Sequence, residues 1–149
     1  MPNAFTISRR VQFSETDMAG VMHFSNYFRW MEETEHAFFR SLGLSIVQPH
    51  EGGTLSWPRV RVSCEYFGPV HFEDEVEMRM VLTDVGEKSA TYEMTFSFEG
   101  KRVARGRIKM VCCLMKDGMF SSIPIPSFLR PLLEDSQHES HHPGRKPED

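Results

Sequence analysis

Apolar residues recur at two different spacings along the chain, and the two spacings predict two kinds of secondary structure. From Ser25 to Leu42 the apolar side chains are three or four positions apart, which predicts one face of an amphipathic helix. Ser25 is predicted to be its N-cap, and Gly43 the glycine that follows its last turn. At ~1.5 Å per residue the helix would be about 27 Å long, which predicts a single central helix.

Alternation with period two predicts strands before and after this helix. One such run covers residues 5–13, and four more follow Gly53, at residues 59–66, 75–82, 91–98 and 104–112. Turn residues at 84–87 and 99–101 separate the later runs. One helix followed by successive strands predicts an α+β fold, in which about five antiparallel strands pack against one long helix.

The C-terminal segment 134–149 has a different composition. Its sequence, EDSQHESHHPGRKPED, contains no large apolar residue, so we expect one folded domain over residues 1–133 and a disordered tail after it. The tail histidines at 138, 141 and 142 could bind a metal ion, but the segment offers no scaffold to fix their geometry. We therefore predict no functional metal site there.

Composition and charge restrict the possible partners. The 149 residues fit one domain, and a net charge of −4 is unlike that of a general nucleic-acid binder. No run approaches the ~20 apolar residues that span a bilayer, and the N-terminal ten residues lack the apolar core of a signal peptide. Three cysteines, two of them adjacent, do not form a disulfide framework. We expect a cytoplasmic protein without nucleic-acid or membrane partners.

Asp17 is the main candidate for chemistry. It lies in the loop SETDMAGVMH between the first strand and the helix, where Gly20 permits a tight backbone path and His23 adds a second titratable group. A helix N-terminus presents unpaired N–H groups that can stabilise an oxyanion. A carboxylate beside such N–H groups suits acyl transfer. The alternative is that Asp17 only shapes the turn ahead of the helix.

The run FSETDMAGVMHFSNYFRWMEE resembles the active-site segment of the 4-hydroxybenzoyl-CoA thioesterase family of hotdog proteins. The matching elements are the Asp, the Gly three positions later, the pair His23-Phe24, and Asn26-Tyr27 at the start of the helix. Weaker similarity covers residues 5–130. It includes VSCEYF at 62–67, DEV at 74–76, the turn at 86–89 and IPIP at 123–126.

The resemblance implies a hotdog fold, in which a curved antiparallel sheet wraps around the long helix. It also implies a homodimer or homotetramer with acyl-CoA at the subunit interface, and no metal or organic cofactor. Asp17 would be the nucleophile or general base, and the backbone N–H of Phe24 would polarise the thioester carbonyl. His23 would be catalytic or would line the pocket. The substrate contacts expected from the resemblance are Gly20, Asn26, Tyr27, Lys88 and Ser89.

Other reactive side chains have structural explanations. Cys64 shares an apolar strand face, and Cys112-Cys113 lies in a strand without an identifiable base, so we expect structural thiols. The helix carries three acidic residues on its polar side, Glu32, Glu33 and Glu35, which we expect to be solvated. Of these, Glu33 could approach the site. Basic residues on one strand face could meet CoA phosphates or simply be solvated: Arg105, Arg107 and Lys109.

These observations together predict an acyl-CoA thioesterase that converts acyl-CoA and water into a carboxylic acid and CoA. One alternative is a hotdog hydratase or dehydratase acting on 2-enoyl thioesters, which would pair an acid with a histidine, as Asp17 and His23 could. The other is a module that binds acyl-CoA or acyl carrier protein without turnover. The aromatic residues near the helix fit an apolar or aromatic acyl chain as well as core packing, so the acyl group stays open.

Overall fold

The computed structural model describes residues 4–137, which form two antiparallel sheets and two α-helices. A short 3-10 turn at Phe13–Glu15 precedes the first helix. The elements in chain order are β1 (Phe5–Arg10), α1 (Ser25–Ser41), β2 (Gln48–His50), β3 (Gly53–Ser56), β4 (Arg59–Tyr66), β5 (Glu75–Val85), β6 (Ser89–Phe98), β7 (Lys101–Val111), β8 (Cys113–Lys116), β9 (Met119–Ser122) and α2 (Arg130–Asp135).

The main sheet has five strands in the order β1-β5-β6-β7-β4, and every neighbouring pair is antiparallel. Helix α1 packs on one face of this sheet, above β5 and β7. The alternate positions that face α1 are fully buried, and they include Met78, Tyr92 and Ile108. The prediction of an α+β fold with one long helix on about five antiparallel strands is confirmed.

Helix α1 packs closely on the sheet at Gly106 of β7. A Cβ atom at this position would overlap the thioether of Met31, which is fully buried on the facing side of the helix. Glycine therefore leaves room for the Met31 thioether between the helix and the sheet. The N-terminal turn of α1 lies near the end of β6, where Tyr27 packs edge-on against Phe96 at 5.1 Å.

The C-terminal end of α1 agrees with the prediction, whereas its N-terminal end does not. At the C-terminus, Gly43 has φ +77°, its N–H donates to Arg40 O, and Leu44 N–H donates to Phe39 O. This is a Schellman motif, so the predicted glycine stop is confirmed. The predicted N-cap, Ser25, is wrong by one residue.

At the N-terminus, Phe24 is the N-cap residue and Ser25 is already helical. The Ser25 hydroxyl is 2.8 Å from His23 Nδ1, so it contacts the preceding loop instead of accepting a helix N–H. The first turn of α1 is therefore left without a side-chain cap.

Two predicted strands end earlier than expected. Strand β1 ends at Arg10, because the chain turns at Gln12, whose N–H donates to the Glu15 carboxylate at 2.9 Å, and Phe13 is 76% exposed. Strand β7 ends at Val111, because Cys112 N–H donates to Lys88 O at 2.7 Å. Burial raises the pKa of the Cys112 thiol to about 11, which disfavours its thiolate.

A second, smaller sheet was not predicted from the sequence. Its order is β2-β3-β8-β9, and its strands have three or four residues each. Such short strands do not repeat an alternating pattern often enough to be recognised.

The predicted boundary of the tail at residue 134 falls inside helix α2. Glu134 and Asp135 complete this helix, and Leu133 is fully buried beside the main sheet. Gln137 forms an isolated parallel bridge with Leu82. The predicted tail histidines, His138, His141 and His142, lie outside the described residues.

Strand β4 is an edge strand whose apolar face is exposed. Val62 pairs with Ile108 and Tyr66 with Ala104, and residues paired in this way lie on the same face of a sheet. The β4 side chains therefore continue the face that α1 covers over β7. Val62 is nevertheless 48% and Tyr66 45% exposed, and Cys64 between them is half-buried. The expectation that Cys64 is a buried core thiol is therefore only partly met.

Glu35 is fully buried, so the prediction that it lies on the solvated side of the helix is wrong. It lies four positions after Met31, which places both residues on the face that meets the sheet. Its Oε2 accepts from Arg59 Nη2 at 2.6 Å and from the Tyr92 hydroxyl at 3.0 Å. Glu32 and Glu33, with side chains 58% and 51% exposed, lie on the solvated side as predicted.

Burial of Glu35 predicts a dependence of stability on pH. Burial raises the pKa of this carboxyl above its ordinary value, although Arg59 and Tyr92 partly oppose the shift. The folded state then binds the proton more tightly than the unfolded chain. The free energy of unfolding should therefore fall as pH rises from the ordinary glutamate range, near about 4.3, through the raised pKa.

We expect Glu35→Gln to remove this component. Urea unfolding at several pH values should show the stability of the variant, relative to the wild type, increasing with pH across that window. A difference that does not vary with pH would contradict the assignment.

Candidate active site

A cleft of about 430 Å³ lies between the loop that precedes α1 and the end of β4. Three predicted site residues line it together, namely Asp17, Phe24 and Tyr27. The full lining is Asp17, Val21, Met22, Phe24, Tyr27, Tyr66, Phe67, Gly68 and Pro69. The fold therefore brings the predicted carboxylate and the predicted oxyanion donor to one cavity.

Asp17 both shapes a turn and exposes a carboxylate oxygen. Its Oδ1 accepts the N–H groups of Ala19 at 2.8 Å and of Val21 at 3.4 Å. Its carbonyl accepts Gly20 N–H at 2.9 Å, where Gly20 has φ +80°, a conformation that favours glycine. Among residues 4–137, Oδ2 accepts no hydrogen bond, and the residue is exposed. The turn thus fixes one oxygen and leaves the other available to a substrate.

The N–H of Phe24 is available at the start of α1. It donates to no acceptor within the described part of the chain, whereas the next N–H, of Ser25, points to His23 Nδ1 at 3.3 Å. The carbonyl of Phe24 accepts Tyr27 N–H and the Tyr66 hydroxyl, both at 3.3 Å. The peptide that carries this N–H is therefore held from the helix side and from β4. A free N–H at a helix N-terminus can stabilise a developing negative charge.

His23 is close to the cleft but does not line it. Its ring is exposed, stacks on Phe24 with centroids 4.4 Å apart, and places Nδ1 2.8 Å from Ser25 Oγ. Its backbone N–H donates to Glu15 O at 2.8 Å. The geometry leaves the side chain beside the mouth of the cleft, so a catalytic role for His23 stays a prediction.

Two tyrosines form an aromatic wall of the cleft. Tyr27 and Tyr66 pack edge-to-face with centroids 5.0 Å apart. Burial raises the pKa of each phenol to about 12, and the nearby Cys64 thiol contributes in the same direction. Both phenols therefore stay protonated near neutral pH and add no negative charge beside Asp17.

Tyr66 and the three residues that follow it were not predicted as site residues from the sequence. They line the cleft because β4 ends there and the chain turns at Gly68-Pro69. A pair of aromatic residues directly before a Gly-Pro turn was the available signal, since side chains at strand ends often border a site on the adjoining loop.

Two predicted substrate contacts, Asn26 and Gly20, stabilise the loop that precedes α1 and do not line the cleft. Asn26 is buried, and its Nδ2 donates to Glu15 O at 2.9 Å. Gly20 lies at the tip of the Asp17 turn and is not part of the cleft lining. Their direct contact with substrate stays a prediction.

Lys88 and Ser89 lie at the opposite end of the main sheet from Asp17. Ser89 begins β6, whereas Phe96, which contacts Tyr27, lies near the end of the same strand. Seven residues of strand correspond to about 23 Å at ~3.3 Å each. Within one chain, the structure does not bring these two residues to the cleft.

Two of the basic residues of β7 are paired with Glu93 on the sheet surface. Arg105 and Arg107 are 3.6 Å and 3.1 Å from the Glu93 carboxylate on β6. Their position favours the interpretation that they are solvated strand charges.

Among residues 4–137, no group of three or more His, Cys, Asp or Glu side chains is placed to hold a metal ion. No helix of this part of the chain is long and apolar enough to cross a membrane.

Residues 11–133 match the family model of the thioesterase-like superfamily, and the chain belongs to this superfamily. The resemblance predicted from the segment around Asp17 is confirmed by this match, as is the prediction of a hotdog enzyme of the thioesterase class. The match does not assign the catalytic residues.

Named relatives are similar over most of their length. The chain is 35% identical over 120 residues to a protein of Aquifex aeolicus provisionally named as an esterase, covering 80% of this chain and 91% of that protein. It is 30% identical over 112 residues to a 1,4-dihydroxy-2-naphthoyl-CoA hydrolase of Prochlorococcus marinus, covering 70% and 72%. The solved structure of a gentisyl-coenzyme A thioesterase is 30% identical, with a TM-score of 0.76 and coverage of 86% and 98%.

Proposed function

We propose that this protein hydrolyses acyl-CoA thioesters to a carboxylic acid and CoA, with Asp17 as nucleophile or general base. The observation that carries the proposal is that one cleft is lined by Asp17, whose carboxylate is exposed, and by Phe24, whose N–H has no acceptor among residues 4–137. Acyl transfer needs these two functions together, because one group attacks or activates water while the other stabilises the oxyanion.

The two possible roles of Asp17 give the same products. As nucleophile, Oδ2 attacks the thioester carbon, the C–S bond breaks to release CoA thiolate, and water then hydrolyses the mixed anhydride. As general base, Asp17 takes a proton from a water molecule that attacks the same carbon. In both cases the Phe24 N–H donates to the carbonyl oxygen as negative charge develops on it.

We further propose that the acyl group is aromatic. Phe24, Tyr27, Tyr66 and Phe67 give the cleft an aromatic lining, which suits a flat ring. Two similar proteins are named for aromatic substrates, gentisyl-CoA and 1,4-dihydroxy-2-naphthoyl-CoA, which supports the same class for this chain.

The proposed assembly is a homodimer or homotetramer in which two chains are joined along β4. This strand ends the main sheet, so its outer N–H and C=O groups have no neighbouring strand within residues 4–137. Its apolar face, with Val62 and Tyr66, extends the core face of the sheet and is about half exposed. An exposed, apolar edge strand is expected to pair with another chain.

A two-fold pairing of β4 edges would also explain how Lys88 and Ser89 can contact the substrate. Antiparallel pairing reverses the direction of the second sheet, so the Lys88 end of a second copy comes beside the Asp17 end of the first. The proposed CoA contacts would then be made by the partner subunit's Lys88 and the partner subunit's Ser89, with acyl-CoA at the interface.

A panel of CoA thioesters tests the proposed function. Benzoyl-CoA, hydroxybenzoyl-CoA, octanoyl-CoA and crotonyl-CoA are incubated with the protein, and free thiol is measured. We expect thiol release, fastest with the aromatic esters. Loss of the crotonyl double bond without thiol release would identify a hydratase. Tight binding with neither reaction would identify a binding module, and either result would overturn the proposal.

A further inference from the structure

Glu15 connects the loop that carries Asp17 to β1 and α1 through its carboxylate. Oε1 accepts the N–H of Gln12 at 2.9 Å, and Oε2 accepts Trp30 Nε1–H at 2.7 Å. Arg9 Nη2 is 3.1 Å from Oε2. The residue is only 8% exposed, so both oxygens are satisfied by protein groups in a largely dry environment.

The backbone carbonyl of the same residue holds both sides of the Phe24 peptide. It accepts His23 N–H at 2.8 Å and Asn26 Nδ2–H at 2.9 Å. Phe24 lies between these two donors in sequence, so the orientation of the Glu15 peptide sets the position of the Phe24 N–H. The carboxylate in turn fixes that peptide against the strand and the helix.

The surrounding charges keep the carboxylate in place. Arg9 also pairs with Glu33 Oε2 through Nη1 at 2.6 Å, and its guanidinium lies 4.7 Å from the centre of the Trp30 ring. A buried ion pair is often no more stabilising than apolar residues of similar volume. Stability alone is therefore a weak reason for an acid here, whereas five donors converging on one residue fix a geometry.

We propose that Glu15 is a positioning residue, which holds the Phe24 N–H at the point where the thioester oxyanion develops. The proposal rests on the proposed function, because the oxyanion is defined by that reaction. Glu15 acts through the backbone and does not itself touch substrate, since it does not line the cleft.

The decisive variant is Glu15→Gln. It preserves the shape of the side chain but puts an NH₂ group where one oxygen accepts either Gln12 N–H or Trp30 Nε1–H, so two donors face each other. We expect kcat to fall at least about tenfold with KM within about threefold. A displaced oxyanion donor weakens binding of the transition state more than of the substrate.

Glu35→Gln is the matched control. Glu35, on the core side of α1, is a buried acid with an arginine partner, as Glu15 is, but its hydrogen bonds go to Arg59 and Tyr92 and none goes to the segment 15–24. Its kcat should stay within about twofold of the wild type. Equal falls of kcat in the two variants, or an unchanged kcat in Glu15→Gln, would overturn the proposal.

Amide hydrogen exchange gives a readout that does not need activity. In Glu15→Gln the His23 amide should exchange at least about tenfold faster than in the wild type, whereas Glu35→Gln should leave it unchanged. If Glu15→Gln does not fold, Trp30→Phe removes one donor to the carboxylate and should raise the exchange rate of the His23 amide. An unchanged exchange rate of the His23 amide overturns the positioning role. Wild-type protein inactive on every CoA thioester would instead refute the proposed function, and the exchange rates would still decide whether Glu15 holds this segment.

Discussion

Replacement of Asp17 by Asn should lower kcat for the best acyl-CoA substrate at least about a hundredfold, with a much smaller change in KM. A carboxylate that acts as base contributes roughly 10²–10⁴ in rate, and a covalent nucleophile contributes more. The lost interaction belongs to the transition state, so binding of the substrate changes less.

The geometry of the turn makes Asp17→Asn a clean test. Oδ1 of the native side chain accepts the Ala19 N–H, and the Asn side-chain oxygen can accept the same hydrogen. The turn is therefore kept while the negative charge is removed. Asp74→Asn is the matched control, because Asp74 Oδ2 accepts His71 N–H at 2.8 Å in a comparable loop and does not line the cleft.

Folding of the two variants is compared by circular dichroism. A folded Asp17→Asn protein with nearly normal kcat would show that the proposed mechanism is wrong. His23→Ala, measured in parallel, should cost about tenfold or less if the ring only borders the cleft; a loss as large as that of Asp17→Asn would place His23 in the catalytic set.

Substitution of Val62 by Asp should convert the protein to a monomer and lower its specific activity at least about a hundredfold. Val62 is 48% exposed in one chain and belongs to the apolar face of β4 that we propose a second copy covers. Burying an unpaired carboxylate in that interface is costly, and the monomer lacks the part of the site proposed to come from the partner.

Light scattering at micromolar concentration measures the oligomeric state. Ser63→Asp is the control, because it adds the same charge to the same strand on the opposite, exposed face. Ser63→Asp should keep the oligomeric state and the activity of the wild type. The specific activity of Val62→Asp should recover partly as protein concentration rises, because mass action restores the dimer. A wild-type protein that is monomeric and fully active would refute the interface.

Local patterns were sufficient to predict the main elements. The alternation in β5, β6 and β7 and the three-and-four spacing in α1 each reflect one face packed on one core, so they are readable within a short segment. The glycine after α1 was readable for the same reason, because its positive φ is a local requirement.

Burial across elements was not readable in the same way. Glutamate is common on the exposed side of helices, so the sequence around Glu35 gives no sign of burial. Only the positions of Arg59 and Tyr92 in the folded sheet explain how its charge is accommodated. The apolar face of β4 looked like any core face, because nothing in the strand itself reveals that Val62 and Tyr66 are about half exposed at the edge of the sheet.

The sequence by itself determined the helix, the main strands and the segment in which the candidate chemistry lies, because these depend on residues close together in the chain. Only the tertiary structure decided which side chains meet there. It placed Tyr66 beside Asp17, directed Asn26 to Glu15 and separated Lys88 from the cleft. Such contacts depend on strand order and on the packing of α1 against the sheet, and residues far apart in a chain carry no local signal of their distance in space.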